Sequence, residues 1–372
     1  MVVSNLPNHE SNNGSSKKRV GILLEQHFED SEFKIPYNAL KNAGAEVIVL
    51  GTRMNDQYDG KRGTLSQKPD ATATEVQSED FDAIVIPGGQ APDRIRRNPN
   101  AVRLVMDAIA QERWVAAVCH GPQVLIEADQ LQGKRATGYR SIRKDLQNAG
   151  ANYIDEAVVV DGSLITSRQP SDLPLVTITL LSVLGFSVDG STPPDVGDRN
   201  VEWWRLAESW GGSSRQDLIN TLNTAMVGEQ YTLSAFRLYD EWIKDSELRL
   251  VMREVCLSKE SHITLLENRL KAFDEGISWQ VASVAGEAYA TLQGWLHTCD
   301  DLSVLRRALG DVQTGWVDAY HLASQVTDPN TAEVLEEIGS NLLLHEQRLA
   351  DFYRARRGRQ VQPPTPTTVA IA

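Results

Sequence analysis

The sequence predicts an α/β doubly wound domain followed by an all-α helical bundle, and three observations carry that reading. From Lys17 to about Phe186, short apolar runs alternate with amphipathic segments, the pattern of βα units around a largely parallel sheet. Beyond Trp203 strand-like runs give way to long stretches of helical periodicity. The length of 372 residues suits two domains, each able to bury its own core.

The elements follow in order. Val20-Gly21-Ile22-Leu23-Leu24 reads as the first strand, residues 36–43 as a helix and Glu46-Val47-Ile48-Val49-Leu50 as the second strand. Asp82-Ala83-Ile84-Val85-Ile86 is a strand that ends in the glycine-rich turn Pro87-Gly88-Gly89. A helix over 101–111 leads to Val115-Ala116-Ala117-Val118, a buried strand delivering Cys119 into Cys119-His120-Gly121-Pro122. Ala157-Val158-Val159-Val160 and Leu164-Ile165-Thr166-Ser167 are expected to pair as a hairpin, joined through the Asp161-Gly162 turn. A helix over 173–184 closes the unit. The Gly-, Ser-, Asp- and Pro-rich stretch 187–202 is expected to be the linker, with the α/β domain at 18–186 and the bundle at 203–357. Within the bundle, helices are expected near 216–244, 246–274, 301–326 and 331–357, with a shorter one near 279–297 on a crossover. Polar residues 1–17 and the Pro-rich segment 358–372 read as disordered tails.

Composition narrows the function classes. A net charge of -13 opposes nonspecific nucleic-acid binding, which needs basic surface. No apolar run is long enough to span a bilayer, and the first residues lack the basic start and apolar stretch of a signal peptide. Three scattered cysteines, Cys119, Cys256 and Cys299, form neither a disulfide framework nor a zinc cluster, which fits a reducing cytoplasm. The expectation is a cytoplasmic protein with no nucleic-acid or membrane partner.

Cys119 is the residue most suited to chemistry. Gly121 permits a sharp turn and Pro122 suits the first turn of a helix, so the thiol sits at a strand-to-helix elbow. There the amide groups of a helix start favour a thiolate, and the adjacent His120 supplies a base or cation. The competing reading is a small buried core residue, since free cysteine is among the most buried types.

Five segments in order resemble the ThiJ/PfpI family of the glutamine-amidotransferase-like fold: Phe28-Glu29-Asp30-Ser31-Glu32, Pro87-Gly88-Gly89-Gln90-Ala91-Pro92-Asp93, Val118-Cys119-His120-Gly121-Pro122, Thr137-Gly138-Tyr139 and Ser167-Arg168-Gln169-Pro170-Ser171-Asp172-Leu173. The resemblance implies Cys119 as nucleophile, His120 as its base, Glu29 as a carboxylate at or near the sulfur, and an acid at Asp93 reaching across a subunit interface to the histidine. Peptidase-like members carry Glu at that last position, so Asp93 is one methylene short. Gly88 and Gly89 are candidates for an oxyanion site, and Tyr139 and Arg168 for supporting roles, Arg168 alternatively pinning a loop or an interface. The fold hosts several chemistries, so the expected function is a cysteine-dependent stress protein with hydrolase (peptidase- or amidase-like) or glyoxalase/deglycase-like activity on a small carbonyl compound or peptide. The alternative is a noncatalytic redox-sensing or interaction protein.

The second half resembles a ferritin-like four-helix bundle. Active di-iron bundles of this kind supply a Glu from one helix and Glu-x-x-His from the next. Glu229, His262 and His345 fall on apolar faces as candidate metal ligands, but Lys259 and Leu342 stand three residues before the two histidines where carboxylates are required. The reading is therefore a degenerate domain without cofactor, serving assembly or regulation, with a Lys259–Glu229 ion pair as the buried polar link and a mononuclear site from Glu229, His262 and His345 as the alternative. Asp318 is the third helix's one acidic candidate; His321, His297 and Glu287 have no assignable partner. Both halves point to a homo-oligomer by resemblance, and the cluster Trp203, Trp204 and Trp210 is expected to pack one domain on the other or on a neighbour.

Overall fold

The computed structural model describes residues 17–54, 56–188, 190–198, 200–275 and 299–358. The expected helix near 279–297, with Glu287 and His297, and both expected tails up to residue 16 and from residue 359 lie outside the described residues. The chain divides into two compact units between Gly212 and Ser213.

In the first unit, strands β1 (Arg19–Leu23), β2 (Glu46–Gly51), β5 (Ala71–Thr72), β6 (Ala83–Ile86), β7 (Trp114–Val118), β10 (Val158–Asp161) and β11 (Leu164–Ser167) form one sheet in the order β10-β11-β7-β6-β1-β2-β5. Every pairing is parallel except the β10/β11 hairpin, where Gly162 takes a φ of 62° in the Asp-Gly turn. Two short pairs, β3 (Tyr58–Asp59) with β4 (Ser66–Gln67) and β8 (Arg135–Ala136) with β9 (Asn152–Tyr153), lie outside this sheet. They are too short to show a period in the sequence. Because the central strands are covered on both faces, they read as continuous apolar runs, and Val20, Ile22, Ala83, Ile84, Ile86, Val115 and Ala117 are fully buried. The loops after β1, β6 and β7 meet at the carboxyl edge of the sheet, the region where doubly wound folds place their sites.

Helices α1 (Asp30–Asn42) and α6 (Leu173–Val183) pack together, and α7 (Trp203–Ser209) packs on α6. Helices α2 (Ala91–Ile95), α3 (Pro99–Ala110) and α5 (Arg143–Asn148) gather around the short α4 (Pro122–Glu127). Residues 203–212, expected in the bundle, belong to the first unit instead. Trp203 and Trp210 join the first unit's apolar core, Trp204 is buried, and Asn38 of α1 donates to the carbonyl of Trp210 at 2.8 Å. Three aromatic side chains bury a large apolar area there, enough to hold α7 against the sheet domain, so the Pro- and Gly-rich stretch before it works as a connecting loop within the unit.

The second unit contains helices α8 (Arg215–Trp242), α9 (Ser246–Lys271), α10 (Asp301–Gln325) and α11 (Pro329–Arg356). Side-chain caps start each one: Ser214 accepts from the Asp217 amide, Asp245 from Glu247 and Leu248, Asp300 from Ser303 and Asp328 from Thr331. Leu222, Phe236, Met252, Val255, Leu266, Leu305, Leu335 and Leu342 fill the interior. No helix among the described residues is long and apolar enough to cross a membrane.

Candidate functional site

Cys119 leaves β7 with a φ of 58°, a left-handed backbone that disfavours a residue with a Cβ. The strain sits on the cysteine itself. Gly121 is right-handed (φ -48°), and what it provides is room: a Cβ there would collide with the carbonyl of Ile86. Pro122 then opens α4, as its fixed φ permits. Helix α4 is only six residues long, which leaves it a weak dipole.

The carboxylate at the sulfur is Glu32, and this corrects the expectation of Glu29. Glu32, in the first turn of α1, is completely buried, sits beside Cys119 and accepts from the Gly88 amide at 2.6 Å. Burial, followed by the charge of Glu29, pushes its carboxyl up to about 8, so it holds its proton at neutral pH. The Cys119 thiol is likewise driven well above its ordinary value by burial and, once Glu32 ionises, by that charge. A resting thiol beside a protonated acid replaces the low-pKa thiolate suggested by the elbow.

Glu29, one residue before α1, turns instead to a neighbouring loop. Lys61 Nζ lies 2.5 Å from its Oε2 and Arg62 Nε 2.7 Å from Oε1. That loop is held by buried Asp30, which accepts from the amides of Arg62 (3.0 Å) and Thr64 (3.2 Å) and from the Thr64 hydroxyl (2.6 Å). Lys61 is thereby fixed as a positive charge whose field reaches Glu32, Cys119 and His120. Nothing periodic marks Gly60-Lys61-Arg62-Gly63 in the sequence, and within the acidic segment 28–32 no local signal sets Glu32 apart from Glu29.

His120 Nδ1 is 3.4 Å from Cys119 Sγ, and Nε2 is 3.3 Å from Ser141 Oγ. Burial, then Lys61, lowers its pKa, so the ring is neutral and able to accept a proton. The Tyr139 ring lies 5.0 Å from the imidazole, and its amide donates to the carbonyl of Cys119 at 2.9 Å. Asp93 does not reach His120 within the chain: its side chain is 63% exposed and pairs with Arg96 at 2.7 Å. Arg168 forks onto buried Asp172 (2.9 and 3.2 Å) and reaches Asp155 (3.1 Å), so within the chain it pins the loop after β11.

Of the glycine pair, Gly88 is spoken for by Glu32, which takes its amide out of the expected oxyanion site. Its missing side chain is what lets three segments converge, since a Cβ would sit 2.7 Å from Glu32 Oε2 and 2.9 Å from the Cys119 Cβ. Gly89 has a φ of 74° and forms a bridge with Phe28.

In the second unit, buried Glu229 on α8 faces Lys259 and His262 on α9. Lys259 Nζ donates to Glu229 Oε1 at 3.1 Å, and His262 Nδ1 shares a 2.8 Å hydrogen bond with Oε2. His262 Nε2 is 3.0 Å from Asn341 Oδ1, while His345 Nε2 bonds Ser258 Oγ at 2.8 Å, away from Glu229. Burial alone would raise the Glu229 carboxyl, but Lys259 and His262 bring it down to about 2. Burial, then His262 and Lys259, lowers His345 to about 4. Asp318 lines a pocket with Glu229, Asp311 and small residues of α8 and α10, and His321 bonds Gln325 at 2.6 Å.

A di-iron or mononuclear centre does not fit these residues. The two oxygens of Glu229 are engaged, a lysine stands where the second-helix carboxylate belongs, and His345 is turned to Ser258. Among the described residues no group of three His, Cys, Asp or Glu side chains is arranged to hold a metal ion.

Comparison with known proteins agrees with this division. Residues 18–182 match the model of the DJ-1/PfpI family. General stress protein 18 of Bacillus subtilis is 42% identical over 168 residues, 45% of this chain and 98% of that protein. Protein/nucleic acid deglycase 2 of Escherichia coli is 40% identical over 169 residues, again 45% of this chain and 98% of that one. A solved two-domain protein of Anabaena variabilis containing DJ-1/ThiJ/PfpI-like and ferritin-like domains superimposes with a TM-score of 0.84 at 50% identity, over 95% of this chain and 100% of that one. The first unit is thus shared with the stress-protein and deglycase relatives, both units with the two-domain protein of Anabaena variabilis, and the chain belongs to the DJ-1/PfpI family.

Proposed function

We propose that the chain is a cysteine-dependent enzyme acting on carbonyl compounds, small or borne on peptides, in the manner that the deglycase relative's name describes. The observation that carries this reading is the Cys119 sulfur held at a strained elbow between a neutral imidazole and a protonated carboxyl. In the first step Sγ attacks the carbonyl carbon, forming an S–C bond while the C=O π pair moves onto oxygen. His120 takes the thiol proton, and Glu32 gives its proton to the new alkoxide. Lys61 stabilises the carboxylate that Glu32 then becomes.

A low-pKa oxidation sensor is the weaker reading, because it needs a thiolate at rest and burial pushes Cys119 the other way. The stress-protein relative fits a protective role, and the few cysteines fit a reducing cytoplasm. We assign the bundle to assembly of a homo-oligomer, with exposed Asp93 open to a second copy.

The test is consumption of a 2-oxoaldehyde by wild type, Cys119→Ser and the double variant Cys256→Ser/Cys299→Ser. Activity is expected to vanish only in Cys119→Ser, with an aldehyde adduct on Cys119 visible by mass spectrometry in wild type. Activity retained by Cys119→Ser would sink the proposal.

A further inference from the structure

We infer that Lys259 takes the place of a metal cation in the bundle: its ammonium is the built-in counter-charge for Glu229, and its presence makes this ferritin-like unit metal-independent. The inference does not depend on the chemistry at Cys119.

Three observations converge. Lys259 is 1% exposed and lies three residues before His262, so both project from one face of α9 onto Glu229. A buried ammonium survives only where it is paired, and Glu229 together with the face of the Phe236 ring, 6.0 Å from Nζ, meets that need. The rest of the network is closed as well. His262 spans from Glu229 to Asn341, and buried Asp311, near the same pocket, accepts from Tyr239 Oη at 2.7 Å and sits 3.7 Å from Arg307 Nε.

The charge balance explains why one residue decides the outcome. A divalent cation bound to Glu229 would meet a carboxylate already matched by an ammonium, with Asp311 of the same pocket held by Tyr239 and close to Arg307, and it would have to displace a buried lysine. Lys259→Glu reverses both conditions. It removes the cation, restores Glu-x-x-His on α9 and gives a hard oxygen donor next to Glu229 and His262.

The experiment is Co(II) titration of the full chain, followed by absorption in the visible range and by metal analysis after desalting, with His262→Gln as background. Wild type is expected to show no uptake above that background, and its thermal unfolding should be unchanged by a chelator. Lys259→Glu should gain Co(II) at one per chain. Wild-type uptake that His262→Gln removes overturns the inference, as does a folded Lys259→Glu that takes up none. Should that variant not fold, Lys259→Gln is read the same way, with uptake above wild type expected.

Discussion

Replacing Glu32 by Gln tests the acid at the sulfur through the pH dependence of Cys119 alkylation, in a background with Cys256 and Cys299 changed to Ser. Gln keeps an oxygen to accept from the Gly88 amide, so the main change is loss of the ionisable proton. In wild type, Cys119 and Glu32 compete for the first proton to be lost, and the carboxyl loses it near about 8. Above that pH the dyad already carries one charge, and a second on sulfur is disfavoured. The wild-type rate should therefore rise with pH and bend to a plateau near 8, whereas Glu32→Gln should keep rising. The rates should differ little at about pH 7, and the variant should be about tenfold faster at about pH 9, following one decade per pH unit beyond the carboxyl's own titration. The assay is iodoacetamide labelling under pseudo-first-order conditions. A rate ratio that stays flat with pH, or a variant slower throughout, would refute a protonated Glu32 and make it the base.

Three further outcomes follow from the geometry. Gly88→Ala places a methyl group 2.7 Å from Glu32 Oε2 and 2.9 Å from the Cys119 Cβ, so it should cost about 1–3 kcal/mol of overpacking and displace the dyad. The unfolding midpoint of the first unit and the loss of the bend near pH 8 would both report it. Glu229 is held at about 2 against an ordinary 4.5, so its contribution is present above pH 4.5 and disappears as pH falls through about 2. At ~1.4 kcal/mol per pH unit the contribution is about 3 kcal/mol, visible as pH-dependent hydrogen exchange of α8 and α9, and Glu229→Gln should flatten that dependence. Tyr239→Phe removes one donor from buried Asp311 and should destabilise the bundle by about 1–3 kcal/mol in the same exchange experiment, with no change at Cys119.

The central strands, the hairpin and the four long helices are legible because their apolar runs are long and the helices start on side-chain caps of the usual types. Cys119 is legible from one strand and one turn. The choice between Glu29 and Glu32 is not. Both belong to a single acidic loop, and only the start of α1, which turns Glu29 toward Lys61 and Arg62 and Glu32 toward the sulfur, separates them. Lys61 arrives from a polar loop with no local signal, held by backbone hydrogen bonds to Asp30 that no spacing rule describes. The boundary between units is hidden for a similar reason: a Pro- and Gly-rich run reads the same whether it separates domains or bends a chain back onto its own core.

The left-handed backbone at Cys119 sets activity against durability. Glycine is the one residue that adopts such a φ without penalty, so thermodynamics alone would favour Gly at this position, offset only by the packing of a small side chain. The nucleophile therefore occupies a site where drift toward a sturdier fold and drift toward an inert one run in the same direction. A thermostability screen blind to activity would be expected to discard the thiol early, and libraries built around this scaffold would need to hold position 119 constant while the elbow is relaxed elsewhere.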